Sequence, residues 1–382
     1  MVSRAERTLV SDWWWTVDRL LLAALGALIV CGLVFLMAGG PPVAERLGLS
    51  TFHFVNRQVV YLLPTIALLL AVSFLPLRQV RRLALLTYVA ALGLCAAALY
   101  VGPEIKGAHR WILLGPFAIQ PSEFMKPAFV VLTAWAFSQG ARHGGAWGAL
   151  LGFALLPASI VPLLLQPDFG QTMLITLVWG GMLFIAGVSW FWVFGLGGLG
   201  VAGIFGAYTF MPHVRGRIER FVDKSSGDSF HVDTALEAFA KGGWFGKGPG
   251  EGSVKRILPD AHTDFIFAVT AEEFGIAMCI AIVLLFAFIV LRGFVLARRN
   301  EDSFCRLAVA GLLVMFGLQA LINMAVNVNL IPAKGMTLPF VSYGGSSLVS
   351  LALGMGFLMA LTRRRPRAEL FDGVGSRTPA AR

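Results

Sequence analysis

The chain has 382 residues, of which 57% are hydrophobic and only 14% charged, against about 25% charged in a soluble domain, so a water-soluble globular protein is excluded. Its formal charge of +10 resides largely in arginines of short loops and the tail, the distribution of orientation signals rather than of a nucleic-acid-binding stripe. Cys31, Cys95, Cys279 and Cys305 stand singly, without the spacing of a zinc site or a disulfide framework, and read as small buried hydrophobes.

The apolar runs predict an all-α polytopic membrane protein with about ten transmembrane helices. Residues 1–19 read as a cytoplasmic N-terminal arm, with Arg4, Arg7 and Arg19 around an aromatic interfacial anchor of Trp13, Trp14 and Trp15. The membrane domain is 20–362, with spans at 20–37, 57–74, 83–100, 122–137, 147–165, 171–186, 190–210, 264–291, 307–327 and 342–361. The first span lacks a small-residue cleavage site and reads as retained. Residues 211–263 are too polar and glycine-rich to cross and form one large loop, while 363–382 are a basic tail expected to be disordered.

Ten spans place both termini on one side. The arginines of the arm, of the 76–82 turn, of the loop with Arg292, Arg298 and Arg299, and of the tail with Arg363, Arg364, Arg365 and Arg367 make that side cytoplasmic. The large loop is then extracytoplasmic; its own basic residues do not oppose this, because long loops translocate largely regardless of charge. No internal repeat is visible, which disfavours inverted-repeat transporter folds.

With that orientation the unusual polar groups collect on the outer face, in KGAHRWILLGPFAIQPSEFMK (106–126), QPDFG (166–170), LPDAHTDFIFAVTAEEFG (258–275) and IPAKGMTLPFVSYGGSS (331–347). An acid at the mouth of a membrane helix is a functional candidate by default, and Asp264 is that acid. Taken singly, each has a structural reading too. Asp264 can lie in a first helical turn capped by Thr263, Ser122 can cap the fourth span, and Glu123 can pair with Lys126 at i,i+3. Asp168 can cap the sixth span with Gln171, and Arg57 can snorkel. Jointly, these readings leave the concentration of cations and acids on one face unexplained. Gln319, Asn323 and Asn327 share one side of the ninth span, as helix-to-helix glue or cavity lining. The run GGWFGKGPGEG (242–252) matches no phosphate-binding fingerprint and reads as a loop with close backbone approaches. Outward basic groups near the bilayer suit an anionic lipid-linked substrate, and Trp111 and Trp244 suit sugar faces or the interface.

At these motifs the chain resembles the SEDS family (shape, elongation, division, sporulation) of bacterial membrane glycosyltransferases, over nearly all spans. KGMTLPFVSYGGSS and AHTDFIFA are closer to the cell-division than to the elongation branch. FHVDTALEAFAKGG (230–243) departs from the family's usual glutamine-rich version. The resemblance implies peptidoglycan polymerisation: the sugar of one lipid II attacks the anomeric carbon of another and releases undecaprenyl diphosphate. It implies a class B penicillin-binding protein as partner, with other division proteins, surrounding membrane lipids, no nucleic acid, and a place in the bacterial inner membrane at the septum with the site facing the periplasm.

The family's essential acid falls on Asp264, its functional tryptophan on Trp111, the Glu and Lys of its QPSE segment on Glu123 and Lys126, and its second-span arginine on Arg57. His262, Arg110 and Lys334 complete the expected substrate-binding set, with Arg215 a further candidate cation. A diphosphate leaves well with cations and no acid, so one general base suffices. No metal-ligand motif and no organic cofactor is expected, although a divalent cation, Mg or Mn, is compatible with the diphosphate. A lipid II flippase, a structural division scaffold and an elongation role are the rival readings.

Overall fold

The structure is a computed structural model that describes residues 8–105, 107–115, 117–143, 146–187, 190–210, 215–216, 219, 230–332 and 335–364. It is an all-α membrane fold. α1 (Leu9–Thr16) is the arm; α2 (Arg19–Arg46), α3 (His53–Ser73), α4 (Leu77–Val101), α5 (Pro121–His143), α6 (Ala146–Leu165), α7 (Phe169–Ile185) and α8 (Trp190–Phe210) follow. The large loop holds α9 (Phe230–Gly242) and a single 3₁₀ turn, Val254–Arg256. α10 (Ile266–Arg298), α11 (Ser303–Asn327) and α12 (Gly345–Thr362) close the bundle. Among the described residues seven of these helices are long and apolar enough to cross a membrane, and α7 is a shorter apolar helix.

The bundle is built around α12, which is 89% buried along its apolar stretch, whereas α6 is 17% buried and offers most of its surface to lipid. α12 packs on α3 and α5, and α11 on α10, α5 and α7. Small residues allow the closest crossings: a Cβ added to Gly148 would collide with the Gly140 nitrogen, so the glycine is what lets α6 lie against α5. Close backbone contact of this kind is how helices gain packing where lipid supplies no hydrophobic drive.

Several boundaries differ from the sequence expectation. α2 runs through Pro41 and Pro42 to Arg46; its outer end is held in an apolar cluster with Val254, Leu258, Ala261 and Phe265, so the chain stays helical past the span. α5 continues to His143 because its contact with α6 extends beyond the predicted turn. Ser122 is the second residue of that helix and caps nothing; its hydroxyl is buried without a partner among the described residues. A two-stranded hairpin, β1 (Ile112–Leu114) paired with β2 (Phe117–Ile119), precedes α5 with Leu113 opposite Ala118; three-residue strands are too short to leave a periodicity.

The arm docks by Trp13, which is buried, stacks on Phe74 with centroids 4.9 Å apart and donates to Ser73 Oγ at 2.8 Å. Trp14 and Trp15 are exposed. Cys95, Cys279 and Cys305 are buried and Cys31 half-buried, all as free thiols.

Candidate active site

α10 does not begin at Asp264. Its first residue is Ile266, Phe265 is the N-cap without a side-chain cap, and 260–265 form turns. The capping reading of Asp264 and Thr263 is therefore corrected. The helix has another cap: Asn327 Oδ1 of α11 accepts from the Ala268 amide at 3.1 Å, while Asn327 Nδ2 and Asn323 Nδ2 donate to the Asp264 carbonyl at 2.9 and 3.0 Å. The i,i+4 amides of α11 are thus glue, and what they fix is the backbone of Asp264. Its side chain is half-buried, and a Cβ added to Gly335 would lie 3.6 Å from Asp264 Oδ2.

The segment 335–343, between α11 and α12, is the meeting point of the site. Asn323 Nδ2 donates to the Met336 carbonyl at 2.6 Å, Ser342 Oγ to the Thr263 carbonyl at 2.6 Å, and the Tyr343 amide to the His262 carbonyl at 2.9 Å. Ser342 precedes α12 instead of beginning it, because its hydroxyl and backbone are spent on this junction. Lys334, with 211–214, 217–218 and 220–229, lies outside the described residues, and Arg215 pairs with Glu219 at 2.7 Å.

On one side of this segment stands a buried polar chain. Lys126 and Glu123, 2% and 4% exposed, pair at 2.9 Å one helical turn apart. Lys126 Nζ also donates to Gln319 Oε1 at 3.3 Å, and Gln319 Nε2 donates to the Thr337 carbonyl at 3.2 Å. Glu123 Oε1 accepts from Gln171 Nε2 at 2.6 Å. Glu123 Oε2 and Gln171 Oε1 are buried without a partner among the described residues; such atoms cost free energy unless a further donor meets them. Asp168 caps α7 by accepting from the Gln171 amide at 3.3 Å, as expected, but the Gln171 side chain serves Glu123 instead of closing a capping box.

Arg110 is committed differently from its expected role. It donates to the Gln166 and Pro167 carbonyls at 3.0 and 2.5 Å and lies 3.9 Å from Asp168. Burial pushes the Asp168 carboxyl up, and the Arg110 guanidinium opposes the shift. Trp111 is half-buried where the chain enters the hairpin, with its carbonyl against Gly102. Arg110 thus shapes the turn before α7, linked to Glu123 through Asp168 and Gln171.

On the other side the His262 ring packs at a tilt against Phe54 and Tyr343, with centroids 4.2 and 5.5 Å away. Burial pushes its imidazole down to about 4, so it is neutral at pH 7. Arg57 lies one turn beyond Phe54 on α3, inside the helix and not at its start, and is close enough to Tyr343 to counter the burial that pushes the phenol up. Arg57, Glu123, Lys126, His262 and Asp264 are therefore brought around one segment. Sequence reasoning named Gln171 only as a partner in the Asp168 cap and missed its contact with Glu123; it missed Thr337 and Tyr343, which stand inside a quoted motif, but nothing in their spacing marks them.

It also missed the work of Glu272 and Glu273. α10 breaks at Gly275, which has φ 81°, a conformation costly for any residue with a Cβ. The run at 242–252 docks on that break: the Lys247 and Gly248 amides donate to the Glu272 and Glu273 carbonyls, and the Ile276 and Ala277 amides donate to the Gly243 and Trp244 carbonyls, all at 2.9–3.1 Å. A Cβ on Gly242 would collide with the Ala271 oxygen, so glycine is required by the approach. The Glu272 carboxylate accepts the Ser253, Val254 and Lys255 amides at 2.7, 2.7 and 2.9 Å, and Glu273 pairs with buried Lys255, which also reaches the Ala38 carbonyl at 3.2 Å.

Among the described residues no three His, Cys, Asp or Glu side chains converge, which does not fit a protein-caged metal. A Mg²⁺ or Mn²⁺ arriving with a diphosphate would be held chiefly by phosphate oxygens.

Three comparisons bear on this geometry. Residues 18–366 match the family FtsW/RodA/SpoVE, described as cell cycle proteins. The chain is 44% identical over 367 residues to a probable peptidoglycan glycosyltransferase FtsW of Caulobacter vibrioides, covering 96% of this chain and 94% of that one. In structure it is similar, with TM-score 0.76 and 29% identity over 91% of this chain and 97% of the other, to a chain of a peptidoglycan synthase complex described as coordinating polymerization and crosslinking. It is also similar, with TM-score 0.68 and the same identity and coverage, to the rod shape determining protein RodA of Thermus thermophilus.

Proposed function

This chain belongs to the FtsW/RodA/SpoVE family of cell cycle proteins, and we propose that it is a peptidoglycan glycosyltransferase that polymerises lipid II at the outer face of the bacterial inner membrane, at the division septum. The observation that carries the mechanism is the placement of Asp264. Two α11 amides hold its backbone oxygen while its carboxylate stands beside Gly335, in the segment that His262 and Arg57 meet at Tyr343 and that Lys126 joins through Gln319 and Thr337.

In this reading Asp264 takes the proton of the acceptor sugar's 4-hydroxyl as that oxygen attacks the anomeric carbon of the donor. The C–O bond to the diphosphate breaks, and undecaprenyl diphosphate leaves with the electron pair. The leaving charge is met by the preorganised cations Lys126 and Arg57, whose positions need no rearrangement during reaction, and Lys334 is a further proposed donor. Glu123 orients Lys126, and Arg110 and Trp111 shape the neighbouring wall. The similarity to a synthase complex that joins polymerization to crosslinking supports a class B penicillin-binding protein as partner.

A lipid II flippase would also want cationic headgroup contacts but has no use for a base at the outer mouth, and a scaffold needs neither. Labelled lipid II incubated with the purified chain, alone and with the transpeptidase, separates the three: polymer is expected, increased by the partner. Translocation without polymer would support the flippase, and neither activity the scaffold.

A further inference from the structure

At the end of the bundle away from Asp264, the arm, the start of α2 and the ends of α10 and α12 enclose a polar cavity of about 170 Å³, lined by Trp15, Thr16, Asp18, Arg19, Arg292 and Arg364. Most of the length of α10 separates it from the site described above, roughly 40 Å at the helical rise. Guanidiniums from two distant parts of the sequence, Arg292 and Arg364, act on the Asp18 carboxylate there, and Arg19, next to Asp18 in the chain, lines the same cavity. Arg292 holds Asp18 through two contacts, 2.7 and 3.4 Å. Arg19 lies over the Trp14 and Trp15 rings, 4.9 and 4.6 Å from their centroids. The Arg364 amide donates to the Thr16 carbonyl at 3.1 Å, and Arg363 donates to Thr16 Oγ1 at 3.0 Å and to the Phe74 carbonyl at 3.1 Å, which fixes the end of α12 against the arm.

Topology alone would explain arginines on this face, but a count of charges does not require them to converge on a concavity. The geometry is that of an anion site: Asp18 offsets one cation, and the excess positive charge lies at the level of two exposed tryptophans, where headgroups sit. The volume is several times the ~30 Å³ share of one water, enough for a phosphate diester. Basic pockets between membrane helices on the cytoplasmic side take anionic headgroups.

We infer that this cavity binds the headgroup phosphate of an anionic phospholipid of the inner leaflet, with Arg19 and Arg364 as the donors and Arg292 oriented by Asp18. The inference is independent of the chemistry at Asp264.

Native mass spectrometry of the full chain, released from micelles containing equal phosphatidylglycerol and phosphatidylcholine, reads the preference directly. The wild-type chain is expected to retain phosphatidylglycerol, and Arg19→Gln with Arg364→Gln to lower the preference about fivefold for each arginine removed. Arg82→Gln with Arg299→Gln, exposed arginines outside the cavity, is expected to leave it unchanged. Thermal midpoints show which variants are folded; should the first pair not fold, Arg364→Gln alone, at an exposed position, carries the test with a roughly fivefold loss expected. An unchanged preference in the cavity variant, or an equal loss in the control pair, would overturn the site. Displacement of the lipid by millimolar inorganic phosphate would overturn the lipid assignment and leave a soluble-phosphate site in its place.

Discussion

Asp264 and the pair Glu272–Glu273 are separated by two turns of chain, yet the fold uses their carboxylates in opposite ways. The two glutamates are at most 1% exposed and are consumed by structure: three backbone amides converge on Glu272, and Lys255 on Glu273. At Asp264 the fold grips the backbone oxygen instead, through Asn323 and Asn327, and the side chain is left half-buried at a glycine. Charge in a membrane segment is therefore not by itself a mark of catalysis. The two cases differ in where the amide donors go: three main-chain amides meet the Glu272 carboxylate, whereas the Asn323 and Asn327 side-chain amides meet the Asp264 main-chain oxygen.

The comparison can be broken first by removing the base. Asp264→Asn is nearly isosteric and is expected to cut lipid II polymerisation ~10²–10⁴-fold with an unchanged thermal midpoint; turnover near wild type at matched protein level would return Asp264 to a structural role. Glu273→Gln should do the converse. It strands the Lys255 charge, which for a buried pair costs ~3–5 kcal/mol, so the folded yield and thermal midpoint should fall while activity per folded molecule holds. Adding Lys255→Met to Glu273→Gln should recover most of the midpoint, and failure to do so would show that the pair is not what holds the loop.

Between these lies Asn327→Ala, which removes one of the two donors to the Asp264 carbonyl and the acceptor of the Ala268 amide. The expected cost is ~1–2 kcal/mol of stability, with a fall in kcat larger than any change in KM and a transpeptidase complex that still forms.

The effect at His262 is confined to acid pH and is smallest near neutrality. Burial holds its folded value at about 4, below the ordinary 6.5. Between those values the unfolded chain binds a proton that the folded chain does not, so stability rises with pH from about 4 to 6.5 and is lost on acidification through that window. Thermal midpoints measured across that window should show this slope, and His262→Phe should flatten it; an unaltered slope would place the titrating group elsewhere.

By itself the sequence determined the class of molecule and the chemistry-bearing stretches. The long apolar runs, the arginine distribution and four polar motifs on one face follow from the cost of exposing backbone and charge to lipid, which is a local property of composition. The Asp168 cap, the Glu123–Lys126 pair and the one-sided amides of α11 were legible because they depend on spacings of three or four residues. Only the tertiary structure decided that Asn327 caps α10 from another helix, that Gln319 joins Lys126 to Thr337, and that Glu272 closes around residues 253–255. These contacts join positions from 17 to 193 apart in sequence, and no periodicity records which distant donor reaches which acceptor. The glycines of 242–252 show the same division: their composition announces a close backbone approach, but that the partner is the break at Gly275 is settled only where the two main chains meet.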